Sequence, residues 1–347
     1  MNTFVNKTEI RPALSSRSIW HSLSMIPSYI IVMLRPNFLV PIYHAVSDEV
    51  LPHIKYLYTV KEKEMFVNDI EYLTNHFTFV DLHTIIEAVK EGKELPDRSF
   101  HLTFDDGLRE VYHNVYPVLK ERGIGATLFL NPAFVGNRGL CFRHKASVIL
   151  TGMENNRDGR AVAELLHRIA GKYNWHGSPD DFILSIPYKN SGIIDELAEI
   201  LSIDFDRYLI EQRPYLEPVH VKEMMDNGIT IGAHSIDHPL YNELTLEEQI
   251  QQTAVSIREI SKMFDIDYTV FAFPFNDRGI SASFYENAAD VIDVDVFFGT
   301  SAFKKDTIKN SIQRLMLDSD KSCETIIYNK CKERLYNLLK GNNKIRR

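Results

Sequence analysis

The sequence predicts an α/β fold built on parallel strands. Three observations carry this reading. Short apolar runs alternate with segments of helical period, turn residues separate the two, and polar clusters stand where certain apolar runs end. Parallel strands joined by crossover helices make either a doubly wound sheet or a (β/α) barrel, and periodicity does not separate them. In both architectures the C-terminal ends of the strands hold the site.

Asn37 to Val46 (NFLVPIYHAV) reads as the first strand. Lys63 to Phe77 follows as a helix, with Met65, Phe66, Ile70, Leu73 and Phe77 on one face. Asp81 then caps a second helix that runs through Leu82, Ile85, Ile86 and Val89 to Gly92. Ser99 to Phe104 is a strand ending in Asp105, Asp106 and Gly107, Arg109 to Arg122 a helix closed by Gly123, and Gly125 to Leu130 the next strand. The next clear strand, Ile229 to Ala233, comes only after a long interval. Connections of that length are structured insertions, and this one shows helical spacing at Ala161 to Tyr173, Ile193 to Leu201 and Val221 to Asn227. Alternation then resumes with a helix over Thr245 to Phe264, a strand at Tyr268 to Phe273, and a helix at Ser281 to Ala289. A strand at Val294 to Phe298 and a terminal helix at Cys323 to Leu339 complete the chain.

The 347 residues are 44% hydrophobic and 25% charged, which suits a folded soluble chain. Lys and Arg total 39 against 47 Asp and Glu, so no general charge draws the chain to nucleic acid. Cys141, Cys323 and Cys331 are too scattered for a disulfide framework or a Cys-x-x-Cys motif, which favours a reducing compartment. Ser18 to Leu34 is apolar and follows Lys7, Arg11 and Arg17. However, His21 and Pro27 interrupt it, it falls short of the roughly 20 residues of a spanning helix, and no small-residue cleavage site precedes Arg35. The expectation is an N-terminal helix that packs on the domain or lies on a membrane surface. The basic C-terminal stretch suits anionic lipid or a solvated helix end equally.

Two segments at strand ends carry the chemistry: Thr103-Phe104-Asp105-Asp106-Gly107, and Gly232-Ala233-His234-Ser235-Ile236-Asp237-His238-Pro239. Two imidazoles and one carboxylate make a site for a divalent metal with open positions, and a second carboxylate beside it can deprotonate water. Asp180-Asp181 follows no strand and reads as a helix N-terminal turn. His101 and His144 have no comparable context and are read as structural, and core packing is the first expectation for Trp20 and Trp175.

TFDDG followed by HSxxHP resembles the first two motifs of the polysaccharide deacetylases, carbohydrate esterase family 4, with the NodB homology domain. The resemblance runs from about Val40 to Asp318 and includes Tyr116 to Leu130 (YPVLKERGIGATLFL). It implies a distorted (β/α)7 barrel with a helical insertion and metal-dependent removal of N-acetyl groups from a glycan. An O-acetyl glycan esterase and a degenerate glycan-binding protein are the alternatives. It also implies Asp105 as base and Asp106, His234 and His238 as ligands of one divalent metal. Zinc is the first expectation, with cobalt, manganese, nickel and iron as others. The family's third motif, Arg-x-Pro-Tyr or Arg-x-Pro-Phe, stands here as Ala272-Phe273-Pro274-Phe275. The arginine that orients the base is therefore missing, and Arg314 is the candidate to supply its charge from another strand. The Phe275 backbone N–H is expected at the acetyl oxygen. The family's late histidine acid is also missing. His44, in Pro41-Ile42-Tyr43-His44, is the candidate acid, since similar Tyr-His segments occur near the N-terminus of poly-N-acetylglucosamine deacetylases, where the motif order looks circularly permuted.

These readings divide the chain into an apolar helical segment over 1–36, a barrel over 37–320 with an insertion at about 138–215, and a basic helix over 321–347. The expected partner is an acetylated glycan and not nucleic acid. The expected location is cytoplasmic, either free or peripherally associated with a membrane, with secretion or anchoring as the alternative; in the cytoplasm a lipid-linked or nucleotide-linked saccharide would be within reach.

Overall fold

Apolar runs buried on both faces form the wall of a closed parallel barrel. The computed structural model of the chain describes residues 33–154, 164, 169, 171–173 and 175–347. Most of the segment read over 1–36, Trp20 included, and most of the helix read over 161–173 lie outside the described residues. The wall strands are β1 (Pro41–Tyr43), β2 (Leu102–Phe104), β3 (Ala126–Leu130), β4 (Ile229–Ala233), β5 (Val270–Ala272) and β6 (Val296–Gly299). The seventh position, β7, comes in two halves, Ser311–Gln313 and Leu315–Met316. Strands β1 to β6 pair in chain order, all parallel. The first half of β7 pairs with β6 and the second half with β1, so one strand broken at Arg314 closes a distorted (β/α)7 barrel.

The outer layer comprises α1 (Lys63–His76), α2 (Leu82–Glu91), α3 (Tyr116–Arg122), α8 (Pro218–Met225), α9 (Leu246–Phe264), α10 (Ala282–Ala289) and α11 (Cys323–Leu339). Between α3 and α8, among the described residues of the insertion, lie the helices α4 (Phe142–Glu154), α5 (Pro179–Ser185), α6 (Gly192–Ile200) and α7 (Phe205–Gln212). The insertion has its own core of Phe142, Ile149, Phe182, Ile194, Leu197 and Tyr215, continuous with Leu51 and Ile54 beyond β1. Helix α11 buries Cys323, Ile327 and Cys331 in the main core. No helix among the described residues is long and apolar enough to cross a membrane.

Side chains alternate along each strand. Leu102, Phe104, Leu128, Leu130, Ile231, Phe271 and Phe297 face the helices and pack with Phe66, Leu119, Ile257 and Phe264. Val40, Phe129, Val270, Ala272, Val296 and Phe298 fill the interior, and Val80, Leu82, Ile85 and Ile86 around α2 plug one end of it. Gly232 is where the interior has no room, because a Cβ there would meet the Phe129 ring at 2.5 Å and Val270 Cγ2 at 2.8 Å.

Two strands read as continuous are each divided. Asn37 to Val46 becomes Phe38–Leu39 and β1, and Ser99 to Phe104 becomes Ser99–Phe100 and β2. Pro41 has no N–H for a continuous ladder, so the chain leaves a small side sheet with Thr78–Phe79 and re-enters the barrel. The helix read over Arg109 to Arg122 begins as a wide π-type turn at Val111–Val115, because Pro117 in the next turn lacks a donor. Replacing Gly232 with Ala should force Phe129 from its place and lower stability by roughly 1–3 kcal/mol in denaturant titration.

Candidate metal centre

The alternation that fills the barrel also fills its C-terminal mouth. One step past Phe104 the pattern turns Asp105 inward. Asp106 and Gly107 then take left-handed conformations, with φ of 69° and 64°, and fold the chain back over the rim. Glycine is required at 107 on two counts, since a Cβ would also meet Leu130 Cδ2 at 2.7 Å. At the end of β4, His234 turns inward, and positive φ at Ser235 and His238 brings the second imidazole back to the first. Ser235 Oγ accepts the His238 N–H at 3.0 Å, and the Asn131 amide donates to the carbonyls of His234 and Ser235.

Asp106, His234 and His238 are buried, and their donor atoms lie within 4.8 Å of one another. His238 Nε2 is 3.1 Å from Asp106 Oδ1 and His234 Nε2 is 3.5 Å from it. Neither contact has hydrogen-bond angles, and all three atoms are buried without a hydrogen-bond partner. Donors that converge on a common point instead of on each other are what a cation requires, and polar atoms left so are costly otherwise. His234 Nδ1 lies 2.8 Å from the Ala272 carbonyl, so it carries the proton and Nε2 presents a lone pair. Burial holds this imidazole neutral, down to about 4. Burial also opposes charge on His238, but the Asp106 carboxylate outweighs it and pushes the ring up to about 10. Asp106 itself is held well below the carboxylate range, because His238 overcomes the cost of burial. The donor set, two imidazoles and a carboxylate within reach of one point, fits a divalent metal.

Asp105 is 2% exposed and grips Arg314 through two hydrogen bonds, Nη1 to Oδ1 at 2.6 Å and Nη2 to Oδ2 at 2.8 Å. Arg314 is wholly buried, with its guanidinium 5.1 Å from the Phe129 ring centre and further contacts to Thr103 Oγ1 and the Gly299 carbonyl. Burial would raise the Asp105 pKa, but Arg314 and then His234 outweigh it and keep it low.

His44 Nδ1 lies 2.6 Å from Asp318 Oδ2, and the His44 backbone N–H donates to Asp318 Oδ1 at 3.2 Å. Burial pulls the imidazole down, yet Asp318 carries it up to about 9. Phe275 has φ 57°, its ring is 4.5 Å from that of His238, and its N–H makes no hydrogen bond among the described residues. Asp105, Asp106, His234, His238, Arg314, Phe275 and His44 therefore gather around one mouth. Asp318 was not singled out by sequence reading, although a carboxylate just past the last strand carries the same signal as Asp105. His101 is bonded through both ring nitrogens, to the Val80 carbonyl and Thr127 Oγ1. Asp180 and Asp181 stand in the first turn of α5.

The family model for polysaccharide deacetylases matches residues 92–179 and 182–290. Two solved structures share the fold at low identity. Deacetylase PplD of Streptococcus pyogenes, in complex with acetate, has a TM-score of 0.54 at 13% identity over 84% of this chain and 97% of that one. IcaB from Ammonifex degensii has a TM-score of 0.52 at 15% identity over 84% and 96%. Among curated proteins, the poly-beta-1,6-N-acetyl-D-glucosamine N-deacetylase of Staphylococcus aureus (strain MSSA476) is 36% identical over 80 residues, which is 23% of this chain and 27% of that protein. YxkH of Bacillus subtilis (strain 168) is 21% identical over 196 residues, 56% of this chain and 43% of its own length. The chain thus spans less than half of either curated relative. With more than half of its residues under the family model and its strand ends arranged as described, the chain belongs to the polysaccharide deacetylase family.

Proposed function

We propose that the chain is a metal-dependent hydrolase that removes N-acetyl groups from a poly-N-acetylglucosamine or a related glycan intermediate. The observation that carries the reading is the set of three buried donors on Asp106, His234 and His238 that make no hydrogen bond, beside an arginine-held carboxylate. Those three residues would hold the ion, zinc first. When bound, it supplies a Lewis acid that acidifies water and polarises an acyl oxygen. Asp105 takes the proton from the attacking water. Arg314 keeps Asp105 ionised and fixes its plane, while each carboxylate oxygen retains a further lone pair for that proton. The Phe275 N–H is free to donate to the oxyanion.

His44 supplies the proton to the departing amine. With Nδ1 on Asp318, the ring holds its second proton on Nε2 and delivers it there. This pair favours amide over ester hydrolysis, because an alkoxide leaves with less help than an amine anion. The name of the staphylococcal relative supports a glucosamine polymer as the class of substrate.

Acetate release from β-1,6-linked N-acetylglucosamine oligomers tests the reading. The purified chain should release acetate, lose that ability to a chelator and regain it with zinc, cobalt or manganese; metal-independent release would sink the assignment. Replacing His44 with Ala should cost roughly 10²–10⁴-fold on amides and far less on an activated ester. The acid form is present below the folded pKa, so amide hydrolysis should decline as pH rises through about 9. Asp318→Asn removes the main upward push and should move that decline to lower pH in a rate profile. Arg314→Leu leaves the buried Asp105 uncompensated and should lower stability by roughly 3–5 kcal/mol in denaturant titration, with acetate release lost.

A further inference from the structure

The insertion and the turn beyond β1 bring further imidazoles and phenols to the same mouth, and no step above uses them. His144, in the first turn of α4, is buried, and its Nδ1 lies 2.6 Å from the Tyr215 hydroxyl. That hydroxyl already accepts the Cys141 N–H at 3.0 Å. A buried phenol must place its own proton, and the His144 Nδ1 is the acceptor beside it. Nδ1 therefore accepts, and the ring carries its proton on Nε2. Burial pulls the imidazole down to about 4, which leaves that tautomer uncharged. The Nε2–H makes no hydrogen bond among the described residues.

His53 repeats the arrangement from the other side. Its Nδ1 is 2.9 Å from the Tyr208 hydroxyl, and its Nε2 is buried with no partner. The His53 and His144 rings meet edge-on at 5.4 Å. Tyr58 lies 4.9 Å from the His44 ring, and its buried hydroxyl is unpartnered as well. All three side chains stand in the field of the Asp106 carboxylate. Helix α4 is clasped to this turn, since Ser147 Oγ donates to the Pro52 carbonyl at 2.7 Å and receives the Tyr56 N–H at 3.3 Å. Two histidines with Nδ1 tied to a tyrosine and Nε2 left over, from elements distant in sequence, make a built array of uncharged polar tips. Such tips match hydroxyl and amide oxygens, not ionised groups.

We propose that the Nε2 groups of His144 and His53, with the Tyr58 hydroxyl, form a sugar-binding subsite that takes the hydroxyl and acetamido oxygens of uncharged N-acetylhexosamine units on the insertion side of the centre. The substrate class rests on the deacetylase reading above. The subsite binds sugar and does not touch the bond that breaks, so its loss should appear mainly in KM.

The test compares the full, metal-loaded chain with His144→Phe, which keeps the ring's bulk, and His144→Gln, whose amide nitrogen reaches the Nε2 position. With N-acetylglucosamine tetramer, His144→Phe should raise KM about tenfold or more, the worth of one hydrogen bond, and His144→Gln should recover most of it. Hydrolysis of nitrophenyl acetate, which has no sugar, should fall far less. An unchanged KM in a folded His144→Phe overturns the subsite. If the unaltered chain releases no acetate, the deacetylase reading fails, and calorimetric binding of the tetramer then decides the subsite alone. Binding weakened about tenfold by His144→Phe sustains it, while equal binding by both proteins, or none by the unaltered chain, overturns it.

Discussion

The pairing of Arg314 with Asp105 inside the barrel is the contact on which the rest depends. Both groups are removed from water, a cost that the two hydrogen bonds and the favourable charge must offset. The place where this is done is also where the barrel closes. The Arg314 N–H bonds to the Gly299 carbonyl of β6, and the very next N–H, from Leu315, bonds to the Val40 carbonyl at β1. Arg314 is thus the residue at which the strand passes from β6 to β1, and alternation along the strand turns its side chain inward. A guanidinium that satisfies a carboxylate, a hydroxyl and a carbonyl fills that position. The residue at which the barrel closes is thus also the one that holds the carboxylate ionised.

The layered interior explains why the mouth has its composition. Apolar side chains from β3, β5 and β6 occupy the lower layers, and Phe129 demands the missing side chain at Gly232. Above them the same inward positions carry Asp105, His234 and Arg314. A two-residue period places these groups, but it does not by itself turn them toward one another. That depends on left-handed residues at the rim, Asp106, Gly107, Ser235 and His238, on the Ala272 carbonyl that holds the His234 imidazole from behind, and on Ser235 Oγ, which fixes the backbone at His238.

What was legible in the sequence follows from these two levels. Alternation along strands, the glycine after Asp106 and the spacing of His234 and His238 are local, and each could be read from a few adjacent residues. The junction at Pro41 was also local, yet the strand around it was read as one, because apolar character alone does not register a missing N–H. The partners of His44 and Asp105 were harder, since they stand 274 and 209 positions away and meet only when the barrel has closed. Asp318 carried the signal of a carboxylate past a strand but no motif around it. His144 reads as structural because no strand end or motif surrounds it in the sequence, and only its pairing with Tyr215, 71 positions away, separates it from an ordinary core histidine.

The departure in the third motif can be understood in the same geometry. Resemblance places the absent arginine at Ala272, and Ala272 is an inward position of β5, packed with Phe129, Val270 and Phe298. An arginine there would enter the interior from β5, whereas Arg314 enters it from β7. The barrel has one interior, and two guanidiniums could not share the single carboxylate of Asp105 without leaving a buried charge unpaired. A small residue at 272 and an arginine at 314 are therefore linked choices. The alanine packs in the same cluster as Phe129, over whose ring the Arg314 guanidinium lies, and its carbonyl remains available to hold His234. The same carboxylate is held in the same ionised state, from the strand that closes the barrel instead of one within its wall.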